Sequence, residues 1–123
     1  MTRIALFQST TGTEPSASAR RLTEAVAEAA SGGAEILFTP EMSGLLDRDS
    51  ARASKNLRSS DDDEVLSAVR SAAARRRIWV HIGSLAVVVD GGKIANRSFV
   101  IDREGEIRAT YDKLHLFDVD LPT

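Results

Sequence analysis

Two short apolar runs joined by one stretch of helical periodicity constrain this chain more than any other feature. Ile4-Ala5-Leu6-Phe7 reads as a short buried strand. The segment "ARRLTEAVAEAAS" then sets Ala19, Leu22, Val26 and Ala29 on one face, the small-residue stripe of an amphipathic helix. Pro15 or Ser16 suits its first turn, and Gly32-Gly33 suits its end. Glu35 to Thr39, closed by Pro40, forms a second buried strand. Strand, helix and strand within roughly forty residues make a βαβ unit, so the two strands are predicted to run parallel.

The helical period returns once more. Asp61 to Arg77 carries Val65, Leu66, Val69 and Ala73 as a buried stripe. Asp61, Asp62, Asp63 and Glu64 suit the positive end of that helix, and Arg75, Arg76 and Arg77 its negative end. The intervening "GLLDRDSARASKNLRSS" is polar and irregular, a loop with some helix. Beyond Arg77 the period changes to that of strands: "IWVHIGSLAVVVD", "KIANRSFVID" and "EIRATYDK", separated by the turn signals "DGG" and "DREG". The order β-α-β-α-β followed by an antiparallel meander describes one α/β domain, or the first part of one. No internal repeat, low-complexity tract or linker interrupts it.

Composition narrows the functions available. The chain has 123 residues, 42% apolar and 28% charged, enough for one small domain with a core. Sixteen basic against eighteen acidic residues leave a net charge of −2, without the basic excess of a nucleic-acid surface. Nothing suggests a membrane partner: the N-terminal apolar run is too short for a signal peptide or a span. A cytoplasmic protein is the expectation. There is no cysteine, so disulfides, thiolate metal sites and a cysteine nucleophile are excluded within these residues. His81 and His115 stand far apart with no ligand cluster beside either, and no metal site is read. No phosphate-binding glycine motif is present, and Gly12 alone does not make one.

Two residues carry the chemistry that remains. Glu41, in "ILFTPEM", lies just past the C-terminal end of a parallel strand, the edge at which open α/β sheets bind ligands. Pro40 stiffens the turn before it. The alternative is a solvated loop glutamate or a surface ion pair. Lys113, in "TYDKLHLFDVDLPT", sits between a strand and an apolar run. Its ammonium could stabilise an anion at the mouth of a core, or it could be a snorkelling lysine with its head in water. His115 could be an acid, a base or a substrate contact, or a hydrogen-bonded structural residue. Asp118 and Asp120 could equally cap a turn. His81, between Val80 and Ile82, reads as structural, and Arg75 to Arg77 as a solvated helix end.

In combination these pieces say more. "GGAEILFTPEM", a helix, and "VHIGSLAVVVDGGKIANRSFVIDREGEIRATYDKLHLFD" resemble the nitrilase superfamily of carbon–nitrogen hydrolases, from Arg3 to the last residue. The likeness is nearest to the nitrilase-like amidase branch, with omega-amidase-like and deaminated-glutathione-amidase-like members. It rests on the glutamate after strand-Pro, the lysine in "YDKLHLFD" and the "IAN" before "RSFVIDREGEI". The resemblance implies a four-layer α-β-β-α sandwich, commonly dimerised. It also implies hydrolysis of a non-peptide C–N bond of a small amide through a Glu-Lys-Cys triad and a thioester. Glu41 would match the general base and Lys113 the stabiliser of the tetrahedral oxyanion. No metal or organic cofactor is implied.

The sequence departs from the family at the nucleophile. The family cysteine follows the lysine after a further strand, and a second glutamate that many members use lies between them; neither occurs here. Residues 1–123 are therefore expected to be the N-terminal portion of a single carbon–nitrogen hydrolase domain, truncated before the nucleophile and inactive alone. The intact protein is expected to be a homo-oligomer. The competing expectation is a non-catalytic binding or assembly module of the same fold, or a pseudogene-like fragment. A third, an unrelated nucleotide-binding α/β domain, lacks its glycine-rich loop. Substrate-binding residues are not legible.

Overall fold

The computed structural model describes residues 1–113. Three elements open the chain: strand β1 (Ile4–Leu6), helix α1 (Pro15–Ser31) and strand β2 (Ile36–Phe38). A short helix α2 (Ser50–Asn56) crosses the polar stretch, followed by α3 (Glu64–Arg76). Strands β3 (Trp79–Val88), β4 (Ile94–Ile101) and β5 (Ile107–Asp112) complete one five-stranded sheet, ordered β1-β2-β3-β4-β5. The pairs β1–β2 and β2–β3 are parallel, while β3–β4 and β4–β5 are antiparallel. This is the predicted βαβ arrangement followed by a meander. Among the described residues no helix is long and apolar enough to cross a membrane.

Helix boundaries follow local chemistry. Pro15 opens α1, where its missing N–H costs nothing, and Gly32 closes it. The predicted start of α3 at Asp61 moves to Glu64, because Asp63 is the N-cap and accepts from Leu66 N at 2.9 Å. Arg77 ends α3 in the left-handed region, at φ 57°. The β4–β5 turn docks back on α3 through Gly105, at φ 81°. A Cβ there would lie 2.6 Å from Arg70 O, and Arg70 Nε donates to Gly105 O at 2.7 Å.

The sheet has one covered face and one open face. Ala5, Leu37, Val80 and Ile101 alternate toward the helices, where Leu22, Val26, Val65, Leu66, Val69 and Ala73 complete the core. All four predicted stripe residues of each long helix are buried or packed there. The opposite face carries the register set Leu6, Phe38, His81, Val100 and Ala109. Ile4 is 55% exposed, Leu6 71% and Tyr111 59%. The expectation that Ile4 to Phe7 is a buried strand therefore holds only for the helix-facing side. A run of apolar residues specifies a strand with two apolar faces but does not say which face is covered.

Candidate active site

Glu41 is held by the strand beside it more than by its own. Thr39 N donates to His81 O at 3.0 Å, and Gly83 N returns a bond to Thr39 O at 3.1 Å. Between Ile82 and Leu85 the β3–β4 register slips at a bulge, which brings Gly83 and Ser84 under the Pro40-Glu41-Met42 turn. Met42 adopts φ 51°. Its N–H donates to Ser84 Oγ at 2.9 Å, and Ser43 N donates to Ser84 O at 3.0 Å. Ser43 Oγ donates to Pro40 O and lies 2.9 Å from Thr39 Oγ1. Ser98 Oγ, from β4, donates to Gly83 O at 2.6 Å, closing the bulge from the far side. A Cβ on Gly83 would stand 2.6 Å from the carbonyl carbon of Pro40, so only glycine lets the two backbones approach this closely.

Lys113 reaches the same point from the other end of the sheet. Its N–H donates to Asn96 O at 2.9 Å, which extends the β4–β5 ladder by one residue. The preceding pair, Arg97 and Asp112, is bound twice, at 2.6 and 3.0 Å, on the helix-facing side. That fork fixes the end of β5 and leaves Lys113 on the open side with Asn96, Ser98 and Tyr111. Lys113 Nζ lies 3.3 Å from Glu41 Oε1, across 72 residues of sequence. Both side chains are accessible, 36% and 66% exposed, so the pair contributes on the order of 0–1 kcal/mol to folding. Stability alone gives little reason to bring these two charges together.

Around the pair lies a shallow hollow of about 310 Å³, lined by Glu41, Gly83, Ser84, Asn96, Ser98, Tyr111 and Lys113. The two residues singled out from sequence thus share one site. Gly83, Ser84, Ser98 and Asn96 were not foreseen; only the break in alternation at "IGSL" hinted at the bulge. His81 stays outside, its ring edge-on to Phe38 at 5.4 Å. His115, Asp118 and Asp120 lie outside the described residues. Among the described residues no group of three or more His, Cys, Asp or Glu side chains is placed to hold a metal ion.

Comparison with known proteins gives a consistent picture. A family model described as carbon-nitrogen hydrolase matches residues 3–123. The chain is 32% identical over 91 residues to deaminated glutathione amidase of Yersinia enterocolitica, covering 72% of this chain and 32% of that protein. It is 31% identical over 102 residues to chloroplastic omega-amidase of Arabidopsis thaliana, covering 80% and 27%. The chain therefore spans about a third or less of the length of these two relatives. Among solved structures, the NitN amidase from Nesterenkonia sp. AN1 aligns with a TM-score of 0.81 at 27% identity, covering 95% of this chain and 46% of that one. A variant of that amidase carries acrylamide added at its active-site cysteine. The C. elegans NitFhit protein aligns with a TM-score of 0.83 at 24% identity over 99% of this chain and 31% of that one, a likeness of fold alone.

Proposed function

The chain belongs to the carbon-nitrogen hydrolase family, and on that footing we propose that it supplies the general base and the oxyanion-stabilising cation of an amidase active site. The observation that carries this reading is the 3.3 Å approach of Lys113 Nζ to Glu41 Oε1 over the hollow on the open side of the sheet. Residues 1–123 form the N-terminal portion of one catalytic domain, and the nucleophile is a cysteine supplied from outside them. The substrate is a small carboxylate-bearing amide, and the chemistry calls for no cofactor.

The steps balance as follows. Glu41 takes the thiol proton while sulfur attacks the amide carbon, and the carbonyl oxygen becomes an oxyanion beside the Lys113 ammonium. The proton passes from Glu41 to the amide nitrogen, the C–N bond breaks, and ammonia leaves a thioester. Glu41 then takes a proton from water and the hydroxide adds to the thioester carbon; the C–S bond breaks as Glu41 returns that proton to sulfur, giving the carboxylic acid and the thiol. The open face matters here. Covering it by a second layer removes water from the pair and strengthens every charge interaction within the site.

The test begins with the DNA that follows the Thr123 codon. A reading frame that continues to a cysteine, and whose product releases ammonia from small amides, supports the reading. In that product Glu41→Gln and Lys113→Met should each lower kcat/KM by roughly 100- to 1000-fold. A stop codon at that point with stable short protein favours instead a non-catalytic module of the same fold. Turnover by the 123 residues alone that vanishes in Glu41→Gln would overturn the claim that a separate nucleophile is needed.

A further inference from the structure

The hollow holds one acceptor that meets no donor among the described residues. The hydroxyls of Ser84 and Ser98 are committed to the β3 bulge, the first accepting from Met42 N and the second donating to Gly83 O. Glu41 and Lys113 face each other. Asn96 lines the same hollow and holds Lys113 through its backbone carbonyl. Its side-chain Oδ1 is buried and meets no hydrogen-bond donor among the described residues. An acceptor removed from water without a partner is costly, so its retention beside the reactive pair calls for a donor that arrives later.

We propose that Asn96 Oδ1 receives an N–H of the substrate's carboxamide nitrogen, making Asn96 the residue that binds the nitrogen end of the amide. The inference rests on the amidase reading and deepens it. A primary amide offers one carbonyl acceptor and two N–H donors. Lys113 answers the carbonyl oxygen, and Asn96 answers the nitrogen end. Full N-alkylation removes the donor and adds bulk at that point, so a tertiary amide leaves Oδ1 buried and unpaired, a penalty larger than the loss of one contact.

The 123-residue chain can be titrated with propionamide and with N,N-dimethylpropionamide, following backbone and side-chain amide signals by NMR. The expected result is tighter binding of propionamide, by roughly five- to tenfold, with the Asn96 side-chain amide among the shifted signals. Asn96→Leu should abolish that preference by weakening propionamide alone. Asn96→Asp, which keeps an acceptor at the same point, should retain it. Equal weakening of both amides in Asn96→Leu would mark a merely structural role and overturn the proposal, as would a preference lost in Asn96→Asp too. Propionamide binding untouched by Asn96→Leu would overturn the Asn96 role and leave the amide site standing. Failure of the wild-type chain to bind either amide would overturn this inference, while the amidase reading it rests on is tested separately by ammonia release from the cysteine-bearing product.

Discussion

Lys113 Nζ and Glu41 Oε1 meet at 3.3 Å although 72 residues separate them in the chain. The contact is solvent-accessible and energetically minor for folding. Glu41→Gln and Lys113→Met are therefore expected to shift stability by less than about 1 kcal/mol in urea melts of the 123-residue chain. The same substitutions in a cysteine-bearing product are expected to remove two to three orders of magnitude of turnover. A large stability loss from either would show that the pair serves the fold.

Gly83→Ala is predicted to act at a distance from its own strand. The added methyl meets Pro40 and Thr39 backbone atoms that cannot swing aside as a flexible side chain could. A cost of roughly 1–3 kcal/mol is expected, with NMR shift changes concentrated at Thr39 to Ser43 and the Glu41–Lys113 contact lengthened. Shifts confined to β3 and β4 would contradict the clamp described for the Glu41 turn.

At Asp63 two effects oppose each other. Burial raises its carboxyl pKa above the ordinary 3.8, outweighing the N–H groups of Leu66 and Val65 that favour the charged form. Its charge is thus disfavoured in the fold, and stability falls as pH rises from 3.8 through the raised value. Asp63→Asn keeps a capping oxygen without the charge. It should match or exceed wild type at neutral pH and flatten that descent. Asp63→Ala, which drops the cap, should cost about 1 kcal/mol.

Asp102 titrates in the opposite sense. The N–H groups of Glu106 and Glu104 hold its carboxyl below 3.8, with Arg108 and Arg77 adding to the effect against partial burial. Its contribution is fully present above 3.8 and is lost as pH falls through the lowered value. Asp112, held down by Arg97, and Asp47, held down to about 2 by Arg52, follow the same rule. Acid melts should show a falling limb below pH 3.8, and Asp102→Asn should make it shallower. An unchanged limb would remove Asp102 from the account.

Leu6 and Ile4 stand exposed on the open face. The 123-residue chain is expected to self-associate through it at micromolar concentration, and Leu6→Asp should reduce association in sedimentation experiments with little change in melting. A monomeric wild-type chain under those conditions would contradict this.

How much of this could be read from sequence depended on the range of the forces involved. The stripes of α1 and α3 were legible because helical period and burial are local facts written at Leu22, Val26, Val65 and Val69. The order of elements and the parallel β1–β2 pair followed from chain length. Glu41 and Lys113 were legible as a pair only through resemblance, since each alone is an ordinary charged residue. The Gly83-Ser84 bulge left only a break in alternation at "IGSL", because its cause is a contact between backbones more than forty positions apart. Nor was the open face, since Ile4 and Leu6 look the same in sequence whether covered or bare. Asn96 was visible only as part of the "IAN" that carried the resemblance, with no sign of a role, because an unpaired oxygen is a property of its neighbours.

The strand order β1-β2-β3-β4-β5 is also the order of synthesis. Each new strand finds its partner already made, and none must be inserted between two that have closed. A nascent chain can therefore lay down this sheet and its helices as they leave the ribosome, without waiting for any later segment. Glu41 and Lys113 are then set side by side on the open face as soon as β5 has paired with β4.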